Sequence, residues 1–102
     1  SQCVVHNDVI YLAGPVDRDA SPTAEQQTKN ILDRVDALHN RGTDKTKVLT
    51  ATIWLSDMRF FAEMNGVWDA WVSPGNPPAR ACVEARLATT EFLVEIRVTA
   101  AR

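Results

Sequence analysis

Hydrophobic and polar residues alternate with period two from Ala79 to Leu87 and again from Glu91 to Thr99, and these two stretches organise the rest of the chain. In the first, Ala81, Val83, Ala85 and Leu87 share one face, and Arg80, Cys82, Glu84 and Arg86 share the other. That spacing predicts a strand whose apolar side is core and whose opposite side is charged. In the second, Phe92, Val94, Ile96 and Val98 oppose Glu91, Glu95, Arg97 and Thr99, with Leu93 the exception. Only Ala88-Thr89-Thr90 separates the two, so an antiparallel hairpin is expected. It would set Arg80, Cys82, Glu95 and Arg97 on the same side of a sheet.

Upstream, Gln2 to Ala13 reads as two short strands joined at the turn-forming cluster His6-Asn7-Asp8 and ended by Gly14-Pro15. After the polar loop Asp17 to Ser21, Ser21-Pro22 has the form of a helix cap and first helical residue. Ala24, Thr28, Ile31, Leu32, Val35 and Leu38 then recur at helical spacing until Gly42, with Lys29, Asp33, Asp36 and Asn40 on the opposite face. Val48 to Leu55 is a strand with Leu49, Ala51, Ile53 and Leu55 on one face; its other face is also partly apolar, which predicts a place in the sheet centre. Ser56 or Asp57 caps a second amphipathic helix carrying Phe61, Met64, Val67, Trp68 and Trp71 and ending near Val72, before the loop 73–78. The order ββαβαββ predicts an α+β fold in a single domain over 1–102, with one mixed sheet and two helices packed on one of its faces.

The other sheet face is then either solvated or an interface. Charged strand faces are ordinarily solvated, but here Cys82 and Leu93 stand among the charges and Trp54 points away from Ile53. Composition strengthens the interface reading: 102 residues leave a thin stability margin, which docking copies of the chain would widen. A net charge of −2, from 11 Lys and Arg against 13 Asp and Glu, and the lack of a basic block argue against a nucleic-acid surface. Two distant cysteines make no disulfide framework and fit a reducing, cytoplasmic setting. No apolar run has the length of a membrane span or a signal peptide, and the opening at Ser1 without methionine is expected to reflect processing or trimming.

Among candidate residues, Arg80 is either a surface cation or, with its start fixed by Asn76-Pro77-Pro78, a bidentate clamp for a carboxylate. Glu95 is either a salt-bridge partner or a base that orients water; neighbouring arginines would lower its pKa. Cys82 reads as a small packing residue rather than a nucleophile, because no histidine is spaced to pair with it. No Cys/His set, His6 and His39 included, has metal-ligand spacing, so no metal is expected. Gly14 ends a strand without a phosphate-loop glycine pattern. Trp68 and Trp71 read as core and rim, and Asn65 interrupts its helix as a polar contact.

These residues also carry a family resemblance. Ile10-Tyr11-Leu12-Ala13-Gly14, Glu25-Gln26-Gln27-Thr28, Ala51 to Asp57, Met64-Asn65, Trp68 to Val72, Pro78 to Leu87 and Val94-Glu95-Ile96 resemble the Rid (reactive intermediate deaminase, YjgF) family and its YoaB-like branch over essentially the whole length. The resemblance implies a chorismate-mutase-like fold and a homotrimer with ligand clefts between adjacent subunits. It implies that Arg80 and Glu95 are catalytic, Arg80 holding the carboxylate of a 2-aminoacrylate-type enamine or 2-imino acid and Glu95 positioning the attacking water. Cys82, Gly14 and Asn65 join Arg80 in binding this small-molecule substrate, and ammonia and a 2-oxo acid are released without a cofactor. Ala13 stands where the deaminases carry serine, and Pro15 where they carry glutamine. The competing expectations are a non-catalytic trimeric carboxylate-binding or regulatory protein and, with less support from the acidic balance, a ribonuclease.

Overall fold

The computed structural model describes residues 3–37 and 42–102. Its elements run β1 (Cys3–His6), β2 (Val9–Leu12), α1 (Ala24–Asp36), β3 (Val48–Leu55), α2 (Phe61–Trp71), β4 (Ala79–Glu84) and β5 (Val94–Ala101), which is the expected ββαβαββ order. Gln2, Leu38, His39 and Asn40, which the sequence reading assigned to the first strand and first helix, lie outside the described residues.

Asn7 and Asp8 form the β1–β2 turn with φ of 50° and 62°, the left-handed pair a two-residue hairpin needs and these side chains tolerate. α1 starts later than expected. Thr23, not Ser21, is its cap, the hydroxyl accepting from Gln26 N–H. Ser21 instead serves the loop, donating its N–H to Asp17 and accepting from Gln27 Nε2 through its carbonyl. Asp57 caps a 3-10 turn over Met58–Phe60 that leads into α2.

The sheet order is β1-β2-β5-β3-β4. The terminal hairpin expected between β4 and β5 therefore does not form. β4 lies parallel to β3 on one side, and β5 lies antiparallel to β3 on the other. β4 stops at Glu84, so Ala85 to Leu93 form a connection that rounds the end of β3, held by Ala85 N–H to Leu55 O and Ser56 N–H to Leu93 O. The parallel β3–β4 pair needs a long crossover, and α2 supplies it. β3 is an interior strand with a neighbour on each side, as its two-sided pattern requires, but β5 and not β3 takes the middle of the sheet.

α1 and α2 cover one face. Ile31, Leu32 and Val35 of α1 and Met64 and Trp68 of α2 pack on Ile10, Ala51, Ile53, Leu55, Val94, Ile96, Val98 and Ala100. A bulge between Val48 and Thr50 turns Val48 into this core and leaves Leu49 46% exposed, reversing the expected phase at that end of β3. Gln27 is fully buried and acts as a staple: its Nε2 donates to Ser21 O and Glu91 O, and its Oε1 accepts from Leu93 N–H. That staple fixes the chain just before β5.

The other face has no helix over it. Cross-strand register places Trp54 beside Glu95 and Val83, Thr52 beside Arg97 and Ala81, and Tyr11 beside Thr99 and Val4 there. The same register pairs Arg80 with Ala51 and Cys82 with Ile53, on the helix side. The predicted faces of β4 are thus inverted. Ala81 and Val83 are on the open face, Val83 46% exposed, and the alternate Arg80 and Cys82 turn toward α2. Period two says which residues share a face but not which face is core, and at an edge strand α2 leaves room for a long cationic stem.

Candidate functional site

Arg80 enters the helix side near the edge of the sheet and meets one face of α2. Its Nη1 donates to Asn65 Oδ1 at 2.7 Å, and its guanidinium carbon lies 5.6 Å from the Trp68 ring and 5.9 Å from the Phe61 ring. Phe61, Asn65 and Trp68 are spaced four and three apart, so a helix presents them together. Asn65 is itself oriented, its Nδ2 donating to Asp69 Oδ2 at 3.3 Å, which turns the amide oxygen toward Arg80. No carboxylate pairs with Arg80 among the described residues. Two aromatic faces and one amide therefore fix the guanidinium while most of its N–H groups stay available to an anion.

Cys82 follows on the same face, half-buried. Burial pushes its thiol pKa up, and Arg80 pulls against that without overcoming it. The neutral thiol is favoured, which suits a packing and wall residue rather than a nucleophile.

Glu95 lies on the opposite face. Its strand neighbours are Trp54 on β3 and, across the other edge, Val16, with Ile96 N–H donating to Pro15 O at 3.2 Å. Gly14 is so close that a Cβ there would come within 2.5 Å of Glu95 Oε2. The glycine lets the carboxylate lie against the backbone in this position; a side chain there would displace the carboxylate rather than strain the fold. Partial burial raises the Glu95 pKa, with Arg97 opposing. The expected lowering is corrected: Arg80 is on the other face, Arg97 is exposed with its guanidinium 5.9 Å from the Trp54 ring, and desolvation wins.

The structure thus brings together two half-sets. Arg80, Asn65 and Cys82 form one with Phe61 and Trp68; Gly14 and Glu95 form the other with Trp54 and Arg97. It does not bring Arg80 to Glu95 within one chain, contrary to the single polar face expected from the sequence. Sequence reasoning missed the aromatic seat of Arg80, although the 61, 65, 68 spacing was there to be read. Among the described residues, no group of three or more His, Cys, Asp or Glu is placed to share a metal ion, and no helix is long and apolar enough to cross a membrane.

The family model described as endoribonuclease L-PSP matches residues 1–102. A RutC family protein of Haemophilus ducreyi is 45% identical over 102 residues, covering 99% of this chain and 87% of the relative. The RutC family protein YoaB of Escherichia coli is 44% identical over 103 residues, covering 99% and 89%. The crystal structure of a YjgF family member from Neisseria meningitidis superposes with a TM-score of 0.96 at 51% identity, over 100% of this chain and 86% of that one. A Rid family protein of unknown function from Yersinia pestis superposes at 0.92 with 28% identity, over 100% and 86%.

Proposed function

Since the chain belongs to the endoribonuclease L-PSP family, alongside its Rid, YjgF and YoaB relatives, we propose that it hydrolyses reactive 2-imino acids and their enamine tautomers to 2-oxo acids and ammonia. The carrying observation is a guanidinium locked on Asn65, Phe61 and Trp68 with no carboxylate partner among the described residues. Such a group is preorganised for a ligand carboxylate.

Glu95 supplies the second requirement. A raised pKa makes its carboxylate a better proton acceptor than an ordinary surface glutamate. In the proposed step a water held by Glu95 attacks the imine carbon and passes a proton to the carboxylate. Nitrogen takes that proton, giving an adduct that carries OH and NH2 on one carbon. The hydroxyl then gives its proton by way of Glu95 to the same nitrogen as the C–N bond breaks, so ammonia leaves with the bonding pair and the oxygen becomes the carbonyl of the 2-oxo acid. The substrate is already electrophilic, so neither metal nor organic cofactor is called for.

Arg80 and Glu95 stand on opposite faces, so one chain cannot apply both to one small ligand. The reading therefore includes a homotrimer in which the open face of each sheet packs against its neighbours, so that Glu95 of one chain faces Arg80 of the next. The mixed surface of Trp54, Tyr11, Val83, Glu95 and Arg97 suits such an interface. A ribonuclease reading follows from the family description alone, and the net charge of −2 gives it no basic surface.

The test is to generate 2-iminopropanoate and larger imino acids in situ and follow their loss. Acceleration over spontaneous hydrolysis is expected for at least one; none across the panel overturns the enzyme reading and leaves carboxylate binding.

A further inference from the structure

A second cavity, of about 340 Å³, opens beside the segment 13–16, on the side of it that faces the C-terminal half of α1. Leu12, Pro15, Val16 and Val35 give it apolar walls, and Arg18 and Arg34 give it two cations. None of the described residues that line it carries a carboxylate. Arg34 donates one Nη1 bond to Val16 O at 2.9 Å, which ties its guanidinium to the segment, and its other donors meet no acceptor among the described residues. Arg18 has no hydrogen bond or ion pair with any described residue. Asp17 next to it is turned away and occupied, accepting from Ser21, Asp19 and Asn30.

Two guanidinium groups in a concave site without a neutralising acid attract an anion, and apolar walls favour one with a compact hydrocarbon body over a bare inorganic ion. We propose that this cavity is a binding site for a small aliphatic carboxylate, held by Arg18 and Arg34 and distinct from the site at Arg80.

The cavity also shares a wall with the Glu95 half-set. Gly14 lines it and abuts Glu95, Val16 bridges to Glu95, and Pro15 O accepts from Ile96 N–H. An anion seated against 13–16 therefore bears on the backbone that positions Glu95. Occupancy of the cavity does not depend on the deaminase reading; only the regulatory meaning of that coupling does.

The experiment is an amide NMR titration of the whole chain with sodium butanoate, with inorganic phosphate and butylammonium as comparison probes, following in addition the Glu95 side-chain carboxyl carbon. Saturable shifts are expected at Gly14, Val16 and Arg34, with a dissociation constant on the order of millimolar. Arg18→Gln, which removes a side chain that bonds to none of the described residues, should weaken butanoate by roughly tenfold or more, and Arg34→Gln likewise. Arg80→Lys, which weakens the intersubunit carboxylate site of the proposed trimer, should leave binding at Val16 and Arg34 within about twofold, because these residues line the cavity on the α1 side of the segment 13–16. In Arg80→Lys, where the intersubunit site is weakened, the Glu95 carboxyl resonance should still move with the same midpoint. Shifts that survive Arg18→Gln, that disappear in Arg80→Lys, or that phosphate reproduces as tightly would overturn the assignment, as would no saturable shift at all. A static Glu95 resonance would overturn the coupling. None of these readings measures turnover, so failure of the deaminase proposal is seen separately.

Discussion

The two faces of the one sheet carry different kinds of residue. The face under the helices is sealed: Ile10, Ile53, Leu55, Val94 and Ile96 are all 0% exposed and belong to one buried cluster with Met64. The open face mixes Trp54 and Val83 with Glu95, Arg97 and a row of threonines, where Thr50 and Thr99 hydroxyls meet at 2.7 Å. The first face holds the chain in one fold. The second mixes apolar and charged side chains, and the candidate chemistry gathers at its margins, with Glu95 on it and Arg80 round the edge. Stability and function should accordingly separate by face.

The largest expected effect is on the sealed side. Ile53→Ala removes a fully buried side chain at the crossing of β3 with both its neighbours and should cost about 3–4 kcal/mol, read as a lower midpoint in urea. Thr52→Ala, one residue along and facing outward, should cost less than about 1 kcal/mol in the same measurement. Equal costs would erase the distinction between the faces.

Next is Arg80→Lys. Lysine keeps the charge and loses the fork that Asn65, Phe61 and Trp68 seat. Imino-acid kcat/KM should fall on the order of a hundredfold, about 3 kcal/mol, with the unfolding midpoint nearly unchanged. Near wild-type turnover would mean that Arg80 is only an edge cation.

Gly14→Ala sharpens the contrast on the Glu95 side. The added methyl would stand 2.5 Å from Oε2, and since that atom ends a flexible side chain, the carboxylate should swing away at little cost in stability. Turnover should drop by roughly tenfold, mostly in kcat, since the water rather than the substrate carboxylate is displaced. An unaffected kcat would contradict the role given to Glu95.

The smallest effect is one of sign. Glu95 has a raised pKa in the fold, chiefly through burial, so its ionisation opposes folding. The penalty is absent below the ordinary carboxylate pKa and complete once pH passes the raised value. Glu95→Gln should therefore leave the chain at least as stable as wild type at neutral pH, with the difference vanishing in acid when urea midpoints are compared across pH. Asp17 has the opposite sign. Burial works against its charge, but hydrogen bonds from the Ser21 backbone and hydroxyl, Asn30 and the Asp19 backbone outweigh that and hold its pKa down. Its contribution is present above the ordinary carboxylate pKa and is lost as pH falls through the lowered one.

Much of the sealed face was legible beforehand, because Val94, Ile96 and Val98 at spacing two and Ile31, Leu32 and Val35 at helical spacing both report a face that excludes water. The element order and the interior place of β3 were legible for the same reason, although the middle of the sheet belongs to β5. Strand pairing was not. The stretches 79–87 and 91–99 are close in sequence, but a strand that must lie parallel to β3 and one that lies antiparallel to it end on opposite sides of it. The inverted faces of β4 and the exposure of Leu49 have local causes, an edge position and a bulge, that leave no periodic trace. For the candidate site, residue types were readable and their grouping was not: Arg80 with Asn65, and Gly14 with Glu95, come together only through tertiary register.

Subunit complementation probes the central claim, that Arg80 and Glu95 act on one ligand only across two chains. Arg80→Ala and Glu95→Gln are each expected to be inactive alone. When the two are unfolded together in equal amounts and refolded as mixed trimers, one cleft in every four pairs an intact Arg80 with an intact Glu95, so imino-acid turnover should return to about one quarter of wild type. Mixed trimers that form and stay as inactive as either parent would contradict it.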